Sequence, residues 1–228
     1  MTISSLKSVL LALTAGTVIF AGLPAAAWGL GDMPGFFSSY ARTGYVLVIV
    51  ALQCFGAIYH PQAGRKPEQR KNGQTRQKID LYLIQAFSLL VVLCAPFSDR
   101  HAIGILDVGE AFRLSGLLPV GFGFIFMLAA EKRLDRQFSV EVTLQENHRL
   151  IQSGPYAMIR HPRYLGIFAL FLGISLVFRS LLSLGVVAAL SIVLVWRMFA
   201  EDALMKREFG EEWDAYFKRS WRVIPFVF

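Results

Sequence analysis

The residues best suited to chemistry lie in two short segments of the carboxy-terminal part of the sequence. In the first, Arg160 to Tyr164, two arginines, a histidine, a proline and a tyrosine directly precede an apolar run from Leu165 to Phe178. Proline is favoured at the first position of a helix, and a helix start presents backbone N–H groups that attract negative charge. The segment therefore suits an anionic or carboxylate-bearing ligand, with the phosphate headgroups of lipids as the alternative partner.

The second segment contains Arg197, Glu201 and Asp202 at the end of another apolar run. Residues four apart lie on the same face of a helix, so Arg197 and Glu201 can form a simple ion pair. Ionisable groups near the membrane end of a helix are costly if they point at lipid, which favours their facing a polar cavity instead. The residues alone leave both interpretations open.

Upstream of Arg160, the sequence Ser153-Gly154-Pro155-Tyr156 indicates a turn, because glycine tolerates unusual backbone dihedrals and proline fixes the next one. No GxGxxG sequence occurs in the chain, and Cys54 and Cys94 each lie singly inside an apolar run. His148 has no metal-binding partners at suitable spacing. We therefore expect no disulfide framework and no metal site, and the sequence shows no sign of a Rossmann-type nucleotide fold.

These segments belong to a strongly apolar chain. Of its 228 residues, 55% are hydrophobic and 17% are charged, and the mean hydropathy is +0.50. This composition is too apolar for a soluble domain and predicts an all-α, polytopic integral membrane protein. We expect about six transmembrane helices, at the apolar runs Ser8 to Leu30, Arg42 to Tyr59, Ile79 to Phe97, Phe112 to Ala130, Leu165 to Phe178 and Leu181 to Trp196.

The last two apolar runs are separated only by Arg179-Ser180. Such a short connection predicts a tight antiparallel helical hairpin, whose first helix begins at Pro162. The hairpin would bring the Arg160 segment opposite Arg197 and Glu201. From Arg197 to Phe228, charged and aromatic residues alternate, which predicts an interfacial amphipathic tail.

The first apolar run has two interpretations. It follows Lys7 and ends in LPAAAWG, a pattern that resembles a signal peptide with a small-residue cleavage site. Its length favours a retained helix that spans the bilayer. Because Pro24 interrupts the run, the signal-peptide interpretation stays open.

The net charge of +7 is distributed unevenly over the predicted topology. With the amino terminus in the cytoplasm, only four of the 23 basic residues face the outer side: Arg42, Arg100, Arg113 and Arg179. Since Lys and Arg collect on the cytoplasmic side of membrane proteins, we expect both termini and both chemical segments there. Basic residues placed in this way contact anionic lipid headgroups, so we expect no nucleic-acid partner.

Taken in order, the chemical segments resemble a known family. The sequence LDRQFSVEVTLQENHRLIQSGPYAMIRHPRYLG, followed by Arg197, Glu201-Asp202, Phe209-Gly210 and Trp213 to Tyr216, is similar to the isoprenylcysteine carboxyl methyltransferase family and its phospholipid methyltransferase relatives. The resemblance covers about Leu134 to Pro225. We accordingly expect residues 1–130 to form a transmembrane scaffold of about four helices and residues 131–228 to form the catalytic region.

Two residues depart from the family pattern. Asp202 replaces the second glutamate of the usual pair, which could alter the shape of the cavity. Arg163 occupies a position often held by a small residue, where it could add attraction to headgroups.

The resemblance implies S-adenosylmethionine as the methyl donor, bound on the cytosolic side by the carboxy-terminal region. It implies that Arg197 and Glu201 are the catalytic residues, with Arg197 facing the methyl acceptor and Glu201 also holding a polar group of the donor. The other donor contacts that it implies are Glu141, His148, Arg149, Leu150, Ile151, Tyr156, His161, Pro162, Arg163 and Tyr164.

The methyl acceptor is open between two classes of lipophilic substrate that enter from the bilayer. A carboxylate held by Arg197, with prenylated cysteine as the family's example, can attack the methyl group without losing a proton. An amine, such as that of phosphatidylethanolamine, must first be deprotonated, for which Glu201 or Asp202 is the candidate base. A more distant interpretation is a non-catalytic membrane protein whose basic face binds anionic lipid or a partner.

Overall fold

The computed structural model describes residues 3–59, 75–134 and 150–228 of the chain. Within these ranges the chain forms ten α-helices, and its extended segments form no more than isolated bridges. In chain order the helices are α1 Ile3–Thr17, α2 Leu23–Trp28, α3 Met33–Phe37, α4 Tyr40–Tyr59, α5 Thr75–His101, α6 Glu110–Ser115, α7 Leu117–Leu134, α8 Pro162–Val177, α9 Leu181–Phe209 and α10 Glu211–Arg219. The predicted all-α class is confirmed.

Five helical stretches of the described chain are long and apolar enough to cross a membrane: Val9–Trp28, Tyr40–Ala57, Ile79–His101, Glu110–Leu134 and Leu181–Phe209. They correspond to five of the six predicted spans, which confirms a multi-pass membrane protein. The remaining prediction, Leu165 to Phe178, corresponds to α8. This helix has 16 residues and rises only about 24 Å, less than a hydrocarbon core of ~30 Å.

The first span contains an irregular turn that joins it to the second. Residues Val18–Gly22 form a π-helical turn between α1 and α2, directly before Pro24. Because proline has no N–H, the carbonyl of Phe20 cannot receive the usual helical bond from residue 24. The hydroxyl of Tyr45 in α4 donates to this carbonyl at 2.6 Å. The proline that interrupts the apolar run therefore leaves an acceptor that links α4 to the first span.

Helices α7 and α8 pack so closely that their backbones touch. A Cβ atom on Gly123 would lie 2.5 Å from the carbonyl oxygen of Gly166, and one on Gly173 would lie 2.6 Å from that of Gly116. The order of these two pairs shows that the helices are antiparallel. Small residues permit such contact between membrane helices, where van der Waals packing rather than hydrophobicity drives association. The contact fixes the position of α8, whose first turn contains the last residues of the Arg160 segment, Pro162 to Tyr164.

Helices α8 and α9 form the predicted hairpin. Their connection is Phe178 to Ser180, with Arg179 in the left-handed region at a φ of 43°. α9 also packs along α5, and α8 along α7, so the predicted catalytic region is held by helices of the predicted scaffold. Packing therefore does not divide the chain at residue 130. The boundary between scaffold and catalytic region stays a prediction.

The amphipathic tail differs from the sequence prediction. α9 has 29 residues and continues through Arg197 to Phe209, where Gly210 ends it with a φ of 52°. The separate amphipathic helix is α10 alone, which carries acidic residues in its first turn and Lys218 and Arg219 in its last. The residues Arg197 to Phe209 thus complete a long membrane helix instead of beginning an interfacial one.

At the end of the bundle away from the Arg160 segment, Asp99 is the centre of a buried charge cluster. Its carboxylate accepts from Arg42 at 2.9 Å, from Arg113 at 2.6 Å and from Arg179 at 2.6 Å, and its side chain has no exposed area. These four residues are called the Asp99 cluster below. Arg100, the residue after Asp99, pairs with Asp32 at 2.7 Å. The four arginines predicted to share one side of the membrane therefore all lie at this end of the bundle.

Candidate functional site

The candidate site lies between the first turn of α8 and the last turns of α9. Nε of Arg197 is 3.2 Å from Oε1 of Glu201, as the spacing of four residues on one helix predicts. The Tyr164 hydroxyl joins the pair, because it accepts from Nε of Arg197 at 2.8 Å and donates to Oε1 of Glu201. The hairpin therefore brings together side chains that are more than thirty positions apart in the sequence.

At the start of α8, the ring of His161 faces α9 beside the ring of Tyr164. Pro162 occupies the first turn of the helix, and His161 precedes it in a non-helical conformation, with φ −122° and ψ 58°. The rings of His161 and Tyr164 have their centroids 5.7 Å apart, and both reach carboxylates of α9. The local sequence His-Pro-x-Tyr thus places an imidazole and a phenol side by side at one helix start.

His161 lies between two carboxylates. Nε2 of its ring is 2.8 Å from Oδ1 of Asp202, and Nδ1 is 3.4 Å from Oε2 of Glu201. Burial by itself lowers the pKa of His161, but the two carboxylates outweigh burial and raise that pKa above its ordinary value. Since ionised carboxylates can only accept hydrogen bonds, a carboxylate at each ring nitrogen favours the imidazolium form, in which both nitrogens donate.

Asp202 is fully occupied by cations. His161 contacts Oδ1 of Asp202, and Nε of Arg160 lies 3.9 Å from the same oxygen. The other oxygen, Oδ2, accepts from Nε of Arg222 at 3.0 Å. Only 9% of the Asp202 side chain is exposed, whereas 22% of the Glu201 side chain is exposed. Of the two neighbouring carboxylates, Glu201 is therefore the one that a ligand can reach.

The predicted turn before the Arg160 segment is present. Gly154–Ala157 form a 3-10 turn, with Gly154 at a φ of 64°. Tyr156 is buried there, and burial raises the pKa of its phenol. Its carbonyl accepts from the hydroxyl of Tyr216 at 2.7 Å, and burial raises the pKa of Tyr216 to about 12. Both phenols are therefore neutral at ordinary pH, and they tie the turn to α10.

The remaining predicted donor contacts have different outcomes. Leu150 and Ile151 are half-buried and lead into Gln152, whose amide is bonded to Glu212 at 3.0 Å. Arg163 pairs with Glu131 of α7 at 2.9 Å, which ties α8 to α7. Glu141, His148 and Arg149 lie outside the described residues. Their predicted roles, like those of the residues placed here, stay predictions.

Two arginines of the site were not predicted to have a role there. Arg160 was counted only as a cation of its segment, yet its Nη1 donates to Oγ of Ser220 at 3.2 Å and to the carbonyl of Phe217 at 3.1 Å. Arg222 has no signal in the sequence, because its contact with Asp202 depends on how the tail folds back. The sequence marks Arg222 only as a basic residue shortly before Pro225 and indicates no partner for it.

Comparison with known proteins supports the predicted resemblance. The sequence profile of the phospholipid methyltransferase family matches residues 112–212. The chain is 27% identical over 145 residues to the protein-S-isoprenylcysteine O-methyltransferase of Schizosaccharomyces pombe, covering 61% of this chain and 55% of that protein. It is 32% identical over 133 residues to the Mus musculus protein of the same name and 34% identical over 121 residues to that of Homo sapiens.

The two mammalian alignments cover 55% and 50% of this chain and 41% of each relative, so the chain spans about half the length of the curated relatives it matches. The matched part contains α7, α8 and α9, the helices that form the candidate site together with the Arg160 segment. Residues 112–212 of this chain are thus similar to the phospholipid methyltransferase family, and the chain is similar to isoprenylcysteine O-methyltransferases over a comparable stretch.

Proposed function

We propose that this protein is a membrane methyltransferase that uses S-adenosylmethionine to O-methylate the carboxylate of a lipophilic, prenylcysteine-like substrate. The proposal draws on the names of the relatives and on the chemistry of the site. The observation that carries it is the balance of charge around Arg197 and Glu201.

Cations outnumber carboxylates at the site. Two carboxylates, those of Glu201 and Asp202, lie among four cations that contact them directly or within 4 Å: Arg160, His161, Arg197 and Arg222. Among the described residues, and with His161 protonated, four positive and two negative charges give a net charge of +2. An anionic acceptor is therefore attracted to this end of the bundle.

The same contacts weaken the case for an amine acceptor. Glu201 accepts from Tyr164 and Arg197 and faces His161, and Asp202 is bonded to His161 and Arg222. A carboxylate surrounded by cations is a weak base, because its charged form is already stabilised. Neither carboxylate is thus well suited to remove the proton from an ammonium group, which N-methylation requires.

The described residues suit the donor in their chemistry. Glu201 offers a partly exposed carboxylate to the positively charged groups of S-adenosylmethionine, and the rings of His161 and Tyr164 lie beside that carboxylate. When bound, the donor supplies an activated methyl group, so the protein must align the acceptor rather than activate the electrophile.

In this proposal Arg197 orients the acceptor. Its guanidinium is 2% exposed, and its Nε is held by Tyr164 and Glu201. A planar guanidinium fixed in this way matches the two oxygens of a carboxylate. Because the surroundings are buried, the bound carboxylate loses part of its hydration and remains a reactive nucleophile.

The uneven distribution of basic residues supports placing this end of the bundle in the cytoplasm, where a soluble donor reaches it. The acceptor then arrives laterally from the bilayer. Both termini lie on the cytoplasmic side in this arrangement, which protease accessibility in sealed vesicles can check.

A transfer assay tests the proposal. Purified protein in detergent is incubated with methyl-labelled S-adenosylmethionine and a prenylcysteine analogue that has a carboxylate. We expect labelled product that releases methanol in alkali, as methyl esters do. We expect Arg197→Gln to abolish the product, while Arg207→Gln, an exposed change on the same helix, leaves its yield unaltered.

The outcome separates the two acceptor classes. Alkali-stable label in phosphatidylethanolamine, with no ester formed, would favour N-methylation of the lipid headgroup. Failure of the protein to bind the donor in calorimetry would contradict both enzymatic proposals and leave a lipid- or partner-binding role.

A further inference from the structure

The segment after α10 folds back onto the Arg160 segment as a short extended strand. The backbone N–H of Trp221 donates to the carbonyl of Met158 at 2.9 Å, and the N–H groups of Arg160 and His161 donate to the carbonyls of Trp221 and Arg222 at 2.8 and 3.0 Å. Ile159 and Trp221 form a parallel bridge. The backbone of His161 is therefore held directly by the residue whose side chain reaches Asp202.

The side chain of Arg222 is itself held in a fixed orientation. Its guanidinium lies over the ring of Phe199, 4.2 Å from the centroid, and 4.8 Å from the centroid of Phe228. Between these rings it donates from Nε to Oδ2 of Asp202 at 3.0 Å. Stacking and hydrogen bonding together fix both the plane and the direction of the guanidinium.

A chain of contacts connects Arg222 to Glu201. Arg222 binds one oxygen of Asp202, the other oxygen of Asp202 binds Nε2 of His161, and Nδ1 of His161 faces Glu201. Every member is buried or half-buried, where such interactions are strong. The rotation of the His161 ring, and so the position of Glu201, is thereby linked to the tail.

We propose that Arg222 is a positioning residue of the methyl-donor site: it fixes Asp202, and through Asp202 and His161 it holds Glu201 in its place beside Tyr164 and Arg197. The inference rests on the proposed function in one respect, that Glu201 contacts the donor. The proposal also assigns Asp202 a positioning role, and it makes the segment after α10 part of the site.

An ordinary structural role for Arg222 gives a different prediction. If the arginine only anchors the tail, its loss lowers thermal stability but leaves Asp202 beside His161, and the pKa of the His161 imidazole does not fall. If it positions Asp202, its loss also changes the titration of His161, and the direction of that change distinguishes the two cases.

The direction follows from the charges around His161. The groups that face or adjoin it are Glu201 and Asp202 of α9, Tyr164 of α8, the preceding Arg160 and, from the tail, Arg222. Removing a cation without moving Asp202 favours the imidazolium and raises the pKa of His161. Losing the correct position of Asp202 exposes His161 to the effect of burial, which lowers that pKa.

The first experiment is a pH titration of ¹⁵N-histidine-labelled protein in detergent by NMR. The chain has four histidines, and His161→Gln assigns the relevant signal. We expect Asp202→Asn and Arg222→Gln both to lower the titration midpoint of His161, and Lys218→Gln, an exposed change in α10, to leave it unaltered. An unchanged or raised midpoint in Arg222→Gln overturns the proposal.

The second experiment measures S-adenosylmethionine affinity by calorimetry for Arg222→Gln, Asp202→Asn and the double variant. We expect each single change to weaken binding about tenfold, and the double variant to bind no more weakly than Asp202→Asn, as members of one network do. Independent, multiplying effects contradict the proposal. Arg222→Lys, which keeps the charge but not the planar stacking, should restore part of the affinity and serves if Arg222→Gln does not fold.

The two experiments separate this inference from the proposed function. If the wild-type protein fails to bind the donor, the proposed function is wrong, while the titration of His161 still decides whether Arg222 positions Asp202. If the wild type binds the donor and Arg222→Gln binds it equally well, the positioning role is wrong and the proposed function stands.

Discussion

At the scale of single residues, the Tyr164 hydroxyl joins the two charged groups of α9. It accepts a hydrogen bond from Arg197 and donates one to Glu201, and 5% of the residue is exposed. Hydrogen bonds to charged groups contribute more than those between neutral groups, especially away from water. Tyr164 therefore fixes the side chains of Arg197 and Glu201 relative to each other.

We expect Tyr164→Phe to lower the free energy of unfolding by about 1–3 kcal/mol, because it leaves two buried charged groups without this hydroxyl. Methyl transfer should fall more than donor affinity, since Arg197 loses its fixed orientation. Denaturation in detergent and the transfer assay measure these effects. Tyr82→Phe, at a position 68% exposed on α5, is the control, and equal stability of the two variants would show that the Tyr164 hydroxyl contributes nothing.

The raised pKa of His161 predicts a pH dependence of stability. A group whose folded pKa exceeds its unfolded value, ~6.5 for histidine, contributes stability that is complete below that value. This stability is lost as the pH rises through the folded pKa. We expect the difference in melting temperature between the wild type and His161→Gln to shrink as the pH is raised from about 6 to about 9.

The exposed His101, at the opposite end of the bundle from His161, provides the control for this measurement. His101→Gln is measured over the same pH range, so that any effect common to histidine-to-glutamine changes can be subtracted. Parallel profiles for the wild type and His161→Gln would mean that His161 does not gain a proton on folding.

The residues of the site were predictable where they depended on local spacing. Arg197 and Glu201 are four apart, and the short Arg179-Ser180 connection brings the Arg160 segment opposite them. The pairing of Asp202 with Arg222 was not predictable, because it arises when the tail returns to the Arg160 segment. Hydropathy and periodicity carry no information about such a contact.

At the scale of helices, the packing of α7 on α8 depends on glycines at the points of closest approach. A methyl group on Gly123 would overlap the backbone of α8, with Gly166 O and Leu170 N both at 2.5 Å. Since these are backbone atoms, no side chain can move aside to make room. The helices must separate if Gly123 is enlarged.

We expect Gly123→Ala to destabilise the protein by about 1–3 kcal/mol or more, the usual cost of overpacking. Gly121→Ala is a matched control two residues away, because a Cβ atom there meets nothing within 4 Å. Thermal denaturation in detergent compares the two variants. If Gly121→Ala were as destabilising as Gly123→Ala, helix propensity or lipid contact rather than the α7–α8 interface would be responsible.

The boundaries of helices were predicted less well than their existence. The apolar run ends at Trp196, and the sequence therefore predicts an interfacial helix from Arg197 onward. α9 continues to Phe209 because residues with good helix propensity, such as Leu204 and Met205, follow, and the charged residues among them bind partners or face outward. Hydropathy marks where a helix leaves the apolar layer, which is a different position from where it ends.

At the scale of the whole molecule, buried charge clusters lie at both ends of the apolar layer. The Asp99 cluster joins four parts of the molecule. Asp99 belongs to α5, Arg42 to α4, Arg113 to α6 and Arg179 to the α8–α9 connection. The sequence predicted that these arginines share one side, but it did not indicate the carboxylate at their centre. The other end of the layer holds the candidate site.

We expect Asp99→Asn to lower the free energy of unfolding by about 3–5 kcal/mol, because it leaves buried guanidinium groups without their counter-charge. The effect should appear as a large loss of folded protein after extraction, measured by size-exclusion chromatography. Asp107→Asn, at an exposed position of the neighbouring loop, should leave the yield unchanged. Normal stability of Asp99→Asn would show that the arginines hold the helices through their backbone contacts alone.

The short length of α8 has a consequence for how a substrate reaches the protein. A rise of about 24 Å is roughly 6 Å less than the thickness of the hydrocarbon core. If the Asp99 cluster marks one boundary of the bilayer, a helix of this length places its first turn short of the opposite boundary. Under the proposed function, a long-chain acceptor would present its polar end to Tyr164 and Arg197 while its chain stays among the lipid tails, so that the membrane itself would share in substrate selection.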